Sequence, residues 1–154
     1  MLERHSKKPN FLKKVKLKKE KHLILRIVAG LIDYSIVLTL TCTYILTFGE
    51  KNQLGEYSVN GLKALPVLIF WLFYFCFIES TLNATLGNYL MKLKPVDLNT
   101  EKNINFKQSF LRHLLDPIDM FFFGLVGIII IKNSQESQRL GDLLAKTKVI
   151  KLTE

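Results

Sequence analysis

The sequence predicts an all-α membrane protein with two transmembrane helices, a third short transmembrane or re-entrant apolar helix, and a small cytoplasmic loop or hairpin region. Two observations predict this fold class. Apolar residues are concentrated in long blocks, although the 154-residue chain carries a net charge of +9. The charge is concentrated as well, since residues 1–26 contain ten Lys or Arg and only two acids. This separation of apolar and basic blocks is typical of membrane proteins.

The first apolar segment covers residues 27–48, and Asp33 is its one charged residue. At about 1.5 Å per residue, a helix of this length crosses a hydrocarbon layer of about 30 Å. The segment is longer than the apolar part of a signal peptide and lacks a small-x-small cleavage site, so we expect a retained helix. The second apolar segment covers about residues 62–84 and is free of charge from Ala64 to Ile78.

The third apolar segment, about residues 112–131, is interrupted by Asp116-Pro117, and only Met120–Ile131 is an uninterrupted apolar run. Such a run suits a re-entrant or interfacial helix better than a full span, although a span is the alternative. The polar loop 85–111 contains two extended pieces, residues 91–97 and 103–107, which predict a short hairpin with Pro95 on an edge strand. The tail contains a further predicted strand, T-K-V-I-K-L.

Lysine distribution predicts the orientation and the division of the chain. By the positive-inside rule, the N-terminus and the 85–111 loop are cytoplasmic, whereas residues 49–60 are external. A third full span would place the tail outside. We divide the chain into a basic arm (1–22), a membrane domain (23–150) and a short tail (151–154). Residues 7–21 of the arm are expected to bind anionic lipids rather than nucleic acid, because the apolar segment follows at once.

Asp33 is the most informative residue, because a charge near the centre of a bilayer costs about 2.5–3.5 kcal/mol on insertion scales. Arg26 lies on the same helical stripe, but its side chain leans toward the helix N-terminus and away from Asp33. Ala29 and Gly30 share the stripe and allow close packing. We therefore expect Asp33 to be buried between helices and paired with an arginine from another segment, Arg139 or Arg112. A structural ion pair and an ion or proton site both remain open.

Other charged residues have simpler interpretations. Glu79 follows the charge-free run of the second apolar segment, and we expect its carboxylate to reach toward the cytoplasmic interface. Arg139 and Asp142 lie three residues apart and predict an ordinary ion pair on the surface of a helix.

One spacing occurs twice. Arg112 and Asp119 are separated by seven residues, as are Arg26 and Asp33. If both pairs begin helices that enter the membrane from the same side, they would mark a parallel repeat.

Arg26 at the start of the first helix, Asp33 within it and Asp142 in Q-R-L-G-D-L-L-A-K-T form an ordered set. This set resembles the RDD family of small bacterial membrane proteins, which is named for an arginine and two aspartates. The resemblance covers about residues 23–150 and implies that these three residues share a role. It also implies a bacterial cytoplasmic membrane.

The central segment E-S-T-L-N-A-T-L-G-N, which contains Glu79, Thr85 and Gly87, also resembles the family. So do L-K-P-V-D and the F-K-Q-S-F-L-R that contains Arg112. One position departs from the family pattern, which usually has Lys directly after the Thr-x-Gly. Here that position is Asn88.

The resemblance implies one function, because a few family members resemble cation/proton antiporters. The chain would then transport as a homo-oligomer or with a membrane-protein partner, with Asp33 as the ion or proton site. The alternative is a non-catalytic scaffold or accessory subunit whose buried ion pairs are structural. We do not expect an enzyme, since the sequence has no G-x-S-x-G, H-E-x-x-H or glycine-rich phosphate loop. Neither a metal nor a cofactor is expected.

Overall fold

The structure is a computed structural model that describes residues 22–152. Its first element is the long helix α1 (Leu23–Phe48), which begins four residues before the predicted boundary and so includes Arg26 in its first turn. The predictions for residues 1–21, including lipid binding by the basic arm, lie outside the described residues.

The sequence of α1 explains how its polar side chains are accommodated. Thr39, Thr43 and Thr47 each donate their hydroxyl to the backbone carbonyl four residues earlier, at 2.7–2.8 Å. These bonds satisfy the hydroxyls within the helix itself, as an apolar environment requires. The helix ends at Gly49, where a Cβ atom would lie 2.3 Å from the carbonyl oxygen of Ile45, so that only glycine fits.

The 49–60 loop contains a small hairpin of two strands, β1 (Glu50–Lys51) and β2 (Tyr57–Ser58). A second long helical segment, Gly61–Leu82, follows this hairpin, and its bounds are close to the predicted 62–84. It consists of a 3-10 turn (Gly61–Ala64), helix α2 (Leu65–Trp71), a π-helical stretch (Leu72–Ile78) and helix α3 (Glu79–Leu82).

Both α1 and the second helical segment are long and apolar enough to cross a membrane. Few of their residues are buried inside the protein, and large apolar side chains such as Leu31, Leu38 and Phe73 are exposed. The core helix of a soluble protein would bury such side chains, so lipid contact explains their exposure.

The π-helical stretch buries three consecutive residues, Tyr74, Phe75 and Cys76. A π-helix turns less per residue than an α-helix, so neighbouring side chains can share one face. The hydroxyl of Tyr74 reaches Asp33 on α1 in this way. The Phe75 carbonyl and the Glu79 carboxylate instead accept hydrogen bonds from Ser109, on the helix Phe106–Leu114. Irregular helical turns of this kind often occur at functional sites.

The predicted hairpin within residues 85–111 is wrong. Helix α4 (Leu86–Leu90) leads into strand β3 (Leu93–Asp97), whose partner is the C-terminal strand β4 (Thr147–Lys151) in an antiparallel sheet. A single bridge, Val96 to Asn103, is all that joins β3 to the second predicted piece. The physical reason is that Asn105 caps a helix, so the chain after it cannot continue as a strand.

The third apolar segment is not one helix. It consists of α5 (Phe106–Leu114), α6 (Asp116–Asp119) and α7 (Phe121–Asn133), followed by α8 (Leu140–Ala145). Pro117 in the first turn of α6 explains the first break, because proline cannot donate to the preceding turn. The backbone of Gly124 has a φ of 84°, which distorts the start of α7.

Candidate functional site

Asp142 lies at the centre of a buried network of charged residues and is completely inaccessible to solvent. Its Oδ2 lies 2.6 Å from Nη2 of Arg26 on α1, and its Oδ1 lies 2.7 Å from Nη1 of Arg112 on α5. Nε of Arg139 lies 4.0 Å from the same Oδ1. Burial alone would raise the pKa of Asp142, but the three arginines hold it well below its usual value. One carboxylate thus joins α1, α5 and α8.

Glu79 occupies a second buried position in the same network. Its Oε1 lies 3.3 Å from Nη2 of Arg112, and Ser109 donates its hydroxyl to Oε2 at 2.6 Å. The expectation that Glu79 reaches toward the interface is wrong, because the side chain is fully buried. Its position at the end of the π-helical stretch turns it toward α5 instead of toward water.

His113 lies between two carboxylates. Its Nε2 is 3.2 Å from Oε2 of Glu79 and its Nδ1 is 2.7 Å from Oδ2 of Asp116. Both nitrogens can donate to carboxylates only when the ring carries two protons. Burial lowers the pKa of His113, but Asp116 and Glu79 more than offset this and raise the pKa above its ordinary value. The two carboxylates therefore favour an imidazolium, against the opposing contact of Arg139, whose Nη2 lies 3.4 Å from Nδ1.

Asp116 and Asp119 connect this cluster to α8. Arg139 Nη1 lies 2.9 Å from Oδ1 of Asp116. Asp119 accepts hydrogen bonds from the backbone N–H groups of Leu140 and Gly141, at 3.1 Å each. These two groups are among those that a helix N-terminus leaves without partners, so Asp119 anchors the beginning of α8.

Asp33 has a different environment. Its Oδ1 accepts from the hydroxyl of Tyr74 at 2.8 Å and from the backbone N–H of Gly87 at 2.7 Å, and its Oδ2 accepts from the hydroxyl of Thr85 at 2.7 Å. These three donors satisfy the hydrogen-bonding oxygens of the buried carboxylate. The carboxylate therefore joins α1, the π-helical stretch and the start of α4.

The predicted pairing of Asp33 with an arginine is wrong: within residues 22–152, its partners are two hydroxyls and one backbone amide. Arg112 and Arg139 instead bind Asp142, Glu79 and Asp116. The reason is that hydroxyl and amide donors can also satisfy a buried carboxylate, and sequence spacing does not reveal which donors are close. Burial of Asp33 between helices and the absence of a pair with Arg26 both agree with the structure.

The structure brings most of the predicted residues together. Arg26 and Asp142 meet directly, and Arg112, Arg139, Asp119 and Glu79 surround them. The surface-pair interpretation of Arg139 and Asp142 is wrong, since Asp142 is fully buried. Asp33 and Thr85 lie in the separate cluster against α4. Gly87 allows that contact, because a Cβ there would lie 2.1 Å from the carbonyl oxygen of Ala29.

Sequence reasoning missed four polar residues of the site, namely Tyr74, Ser109, His113 and Asp116. The three-residue spacing of His113 and Asp116 was an available signal, because residues three apart are neighbours on a helical surface. Tyr74 and Ser109 gave no signal, because the π-helical register sets the direction of Tyr74 and a contact between distant segments sets that of Ser109.

The comparisons with known proteins identify one family. A family model described as the RDD family matches residues 21–146. No curated protein and no solved structure matches the chain. The matched range includes every residue of the buried network described above.

Proposed function

The chain belongs to the RDD family, and from this premise we propose that it is a membrane protein that binds and releases a proton at its buried network, as part of a cation/proton transporter. The carrying observation is His113, whose two ring nitrogens both face buried carboxylates. Neutral His113 would have a lone pair on one ring nitrogen, and this lone pair would face the lone pairs of a carboxylate. Release of the proton therefore requires Glu79 or Asp116 to move. This is how a protonation change can be coupled to a conformational change.

The charges of the network support a proton rather than a metal cation. Four connected carboxylates stand against three arginines, so the charges of the network balance when His113 is protonated; the carboxylates are Glu79, Asp116, Asp119 and Asp142, and the arginines are Arg26, Arg112 and Arg139. No group of three or more metal-binding side chains occurs among the described residues. The proton site in this proposal is therefore His113 with its two carboxylates, and not Asp33, whose oxygens are occupied by donors.

We propose a bacterial cytoplasmic membrane with α1 beginning on the cytoplasmic side. The lysine-rich sequence before α1 supports this orientation by the positive-inside rule. Arg26 at the start of α1 binds Asp142, and β3 pairs with β4, so these segments share one side of the protein. The loop 85–111 and the tail would both be cytoplasmic.

A re-entrant α7 fits this arrangement better than a third span. Its 13 residues reach about 20 Å at 1.5 Å per residue, less than the hydrocarbon thickness of about 30 Å. Asp116 before α7 and Arg139 after it form an ion pair of 2.9 Å. The segment after α7 therefore contacts the segment before α7.

Two spanning helices are too few for one chain to alternate access, so transport would require a homo-oligomer or another membrane protein. The second candidate function is a non-catalytic scaffold or accessory subunit. One observation favours it: Asp33 is satisfied by three donors, which makes it a structural connection between α1, the second helical segment and α4.

Proton flux in proteoliposomes separates the two candidates. The full chain, the variant His113→Gln and the matched control His22→Gln would be reconstituted with a pH-sensitive dye inside, and a Na⁺ or K⁺ gradient would be applied. We expect cation-dependent flux in the wild type and the control, and its loss in His113→Gln. Absence of flux in every folded sample would support the scaffold, and equal flux in all three would exclude His113 as the proton site.

A further inference from the structure

Two segments of the chain are equivalent in sequence. Residues 85–94 and 139–148 align without a gap, and identical residues occur at five positions: Leu86 and Leu140, Gly87 and Gly141, Leu90 and Leu144, Lys92 and Lys146, Lys94 and Lys148. Both segments form a short helix that is followed within two residues by a lysine in the left-handed region, with φ of 55° at Lys92 and 53° at Lys146. Each then continues into a strand, β3 or β4.

The two strands are arranged as a twofold axis would arrange them. The equivalent residues Pro95 and Val149 pair with each other at the centre of the sheet. Asp97 pairs with Thr147, and Leu93 pairs with Lys151, so the register is symmetric about this central pair.

The helices before the strands follow the same symmetry. Gly87 approaches α1 so closely that a Cβ would lie 2.1 Å from a carbonyl oxygen of that helix, and a Cβ at Gly141 would lie 2.0 Å from the carbonyl oxygen of Arg112 on α5. The N–H of Gly87 donates to Asp33, and the N–H of Gly141 donates to Asp119. The seven-residue spacings of Arg26–Asp33 and Arg112–Asp119 thus occupy corresponding places, which supports the parallel repeat that the sequence suggests.

A cavity of about 370 Å³ lies where the two repeats meet. Corresponding residues from both repeats line it, in five pairs: Arg26 and Arg112, Ile27 and His113, Asp33 and Asp119, Tyr34 and Met120, Thr85 and Arg139. Its volume is within the range of small-molecule sites. Ligand sites of repeat-built membrane proteins are commonly found at such a junction.

The lining is cationic where it is polar. Arg26, Arg112, Arg139 and His113 outnumber the two lining carboxylates, whose oxygens already accept hydrogen bonds from N–H and hydroxyl groups. Their ion pairs are made mainly with Asp142, Glu79 and Asp116, which do not line the cavity. Nε of Arg112 and Nε of Arg139 are buried and have no hydrogen-bond acceptor. The side chain of Arg112 is 2% exposed. These donors are available to a ligand with acceptor oxygens.

The rest of the lining is apolar and reaches the surface. Ile27 and Leu31 of α1 line the cavity and are also exposed on the outer face of that helix. Gly124 and Ile128 of α7 form the opposite wall. A ligand can therefore enter between α1 and α7 from the hydrocarbon side of the bilayer.

We propose that this cavity binds an anionic phospholipid of the surrounding bilayer, with its phosphate at Arg112 and Arg139 and an acyl chain between α1 and α7. A phosphate supplies several acceptor oxygens, and the acyl chain matches the apolar walls. Along the chain, the basic N-terminal sequence ends at Lys21, two residues before the lining residue Leu23. This proposal does not depend on proton binding at His113.

The test is binding of radiolabelled short-chain phosphatidylglycerol to the full chain in neutral detergent. The measurement is made in about 1 M NaCl, where a Debye length of about 3 Å screens attraction to exposed lysines far more than to a buried site. Phosphatidylcholine and glycerol phosphate are the two comparison ligands. Gly30→Leu fills the cavity, since a Cβ at Gly30 meets only Met120 at 4.0 Å. Ile128→Trp fills it from α7, and Leu38→Phe adds bulk to the exposed face of α1 as the control.

We expect saturable binding of phosphatidylglycerol that is about tenfold weaker in Gly30→Leu and Ile128→Trp and unchanged in Leu38→Phe, because the two added side chains occupy space that the acyl chain needs. Equal binding of phosphatidylcholine would overturn the headgroup assignment. Binding of glycerol phosphate with the same affinity would show a site for the free headgroup and overturn the lipid as occupant. Wild-type affinity in both cavity-filling variants, with melting temperatures that show folded protein, would place the lipid elsewhere and overturn the proposal.

Discussion

Gly87→Ala should destabilise the protein strongly, because the methyl group has no space. The added Cβ would lie 2.1 Å from the carbonyl oxygen of Ala29 and 2.8 Å from Oδ2 of Asp33. Ordinary contact of a carbon with an oxygen needs more than 3 Å, so α4 would have to move about 1 Å away from α1. The 2.7 Å bond from Gly87 N–H to Asp33 would then exceed hydrogen-bonding distance.

The size of this effect follows from two terms. Overpacking costs about 1–3 kcal/mol, and loss of a hydrogen bond to a charged group costs about 1.5–3 kcal/mol. The expected decrease in the free energy of unfolding is therefore about 2.5–6 kcal/mol. Gly30→Ala is the matched control on α1, since its Cβ would make only an ordinary contact, with Met120 at 4.0 Å, and it should be neutral or stabilising by up to about 1 kcal/mol. Equilibrium unfolding in detergent measures both. Equal stability of the two variants would refute the close contact between α1 and α4.

Three further predictions concern the network and the topology. Arg26→Met should destabilise the protein by roughly 1.5–3 kcal/mol, because Asp142 loses one charge-assisted hydrogen bond but keeps Arg112 at 2.7 Å; a double-mutant cycle with Asp142→Leu that gives coupling below about 0.5 kcal/mol would contradict this. The free energy of unfolding should decrease below about pH 4, because the folded-state pKa of Asp142 is depressed and its contribution is lost as the pH falls toward that value. It should also decrease as the pH rises above about 6.5, because the folded-state pKa of His113 is raised, and His113→Gln should remove this second dependence in pH-dependent unfolding curves. A cysteine at Gln53, in a background that lacks the two native cysteines, should react with an impermeant reagent on intact cells; labelling only after lysis would reverse the proposed orientation.

Hydropathy and charge predicted the two long helices, because membrane insertion depends on length and apolar composition. They also predicted that Asp33 is buried. The third segment was predicted only in outline, since Asp116-Pro117 marked a break but not the positions of α5 and α6. The partner of β3 could not be predicted, because strand pairing between distant segments leaves no local signal.

The residues of the site were easier to predict than their contacts. The family motif contains Arg26 and Asp142, and the structure brings them to 2.6 Å. Which carboxylate each arginine binds depends on how α1, α5 and α8 pack, and spacing along one helix carries no information about that. The free-energy cost of a buried charge correctly predicted that Asp33 is buried, but the predicted arginine donor was wrong. Hydroxyl and amide groups can satisfy a buried carboxylate as well as arginine can.

The protonation state of His113 tests the central claim most directly. The full chain, labelled with ¹⁵N at histidine and reconstituted in nanodiscs, would be titrated while the imidazole nitrogen shifts are recorded, and His113→Gln would identify the signal. A ring held between Glu79 and Asp116 should still carry protons on both nitrogens at pH values above 6.5, the ordinary pKa of histidine. A neutral ring with one protonated nitrogen at pH 7 would contradict the account.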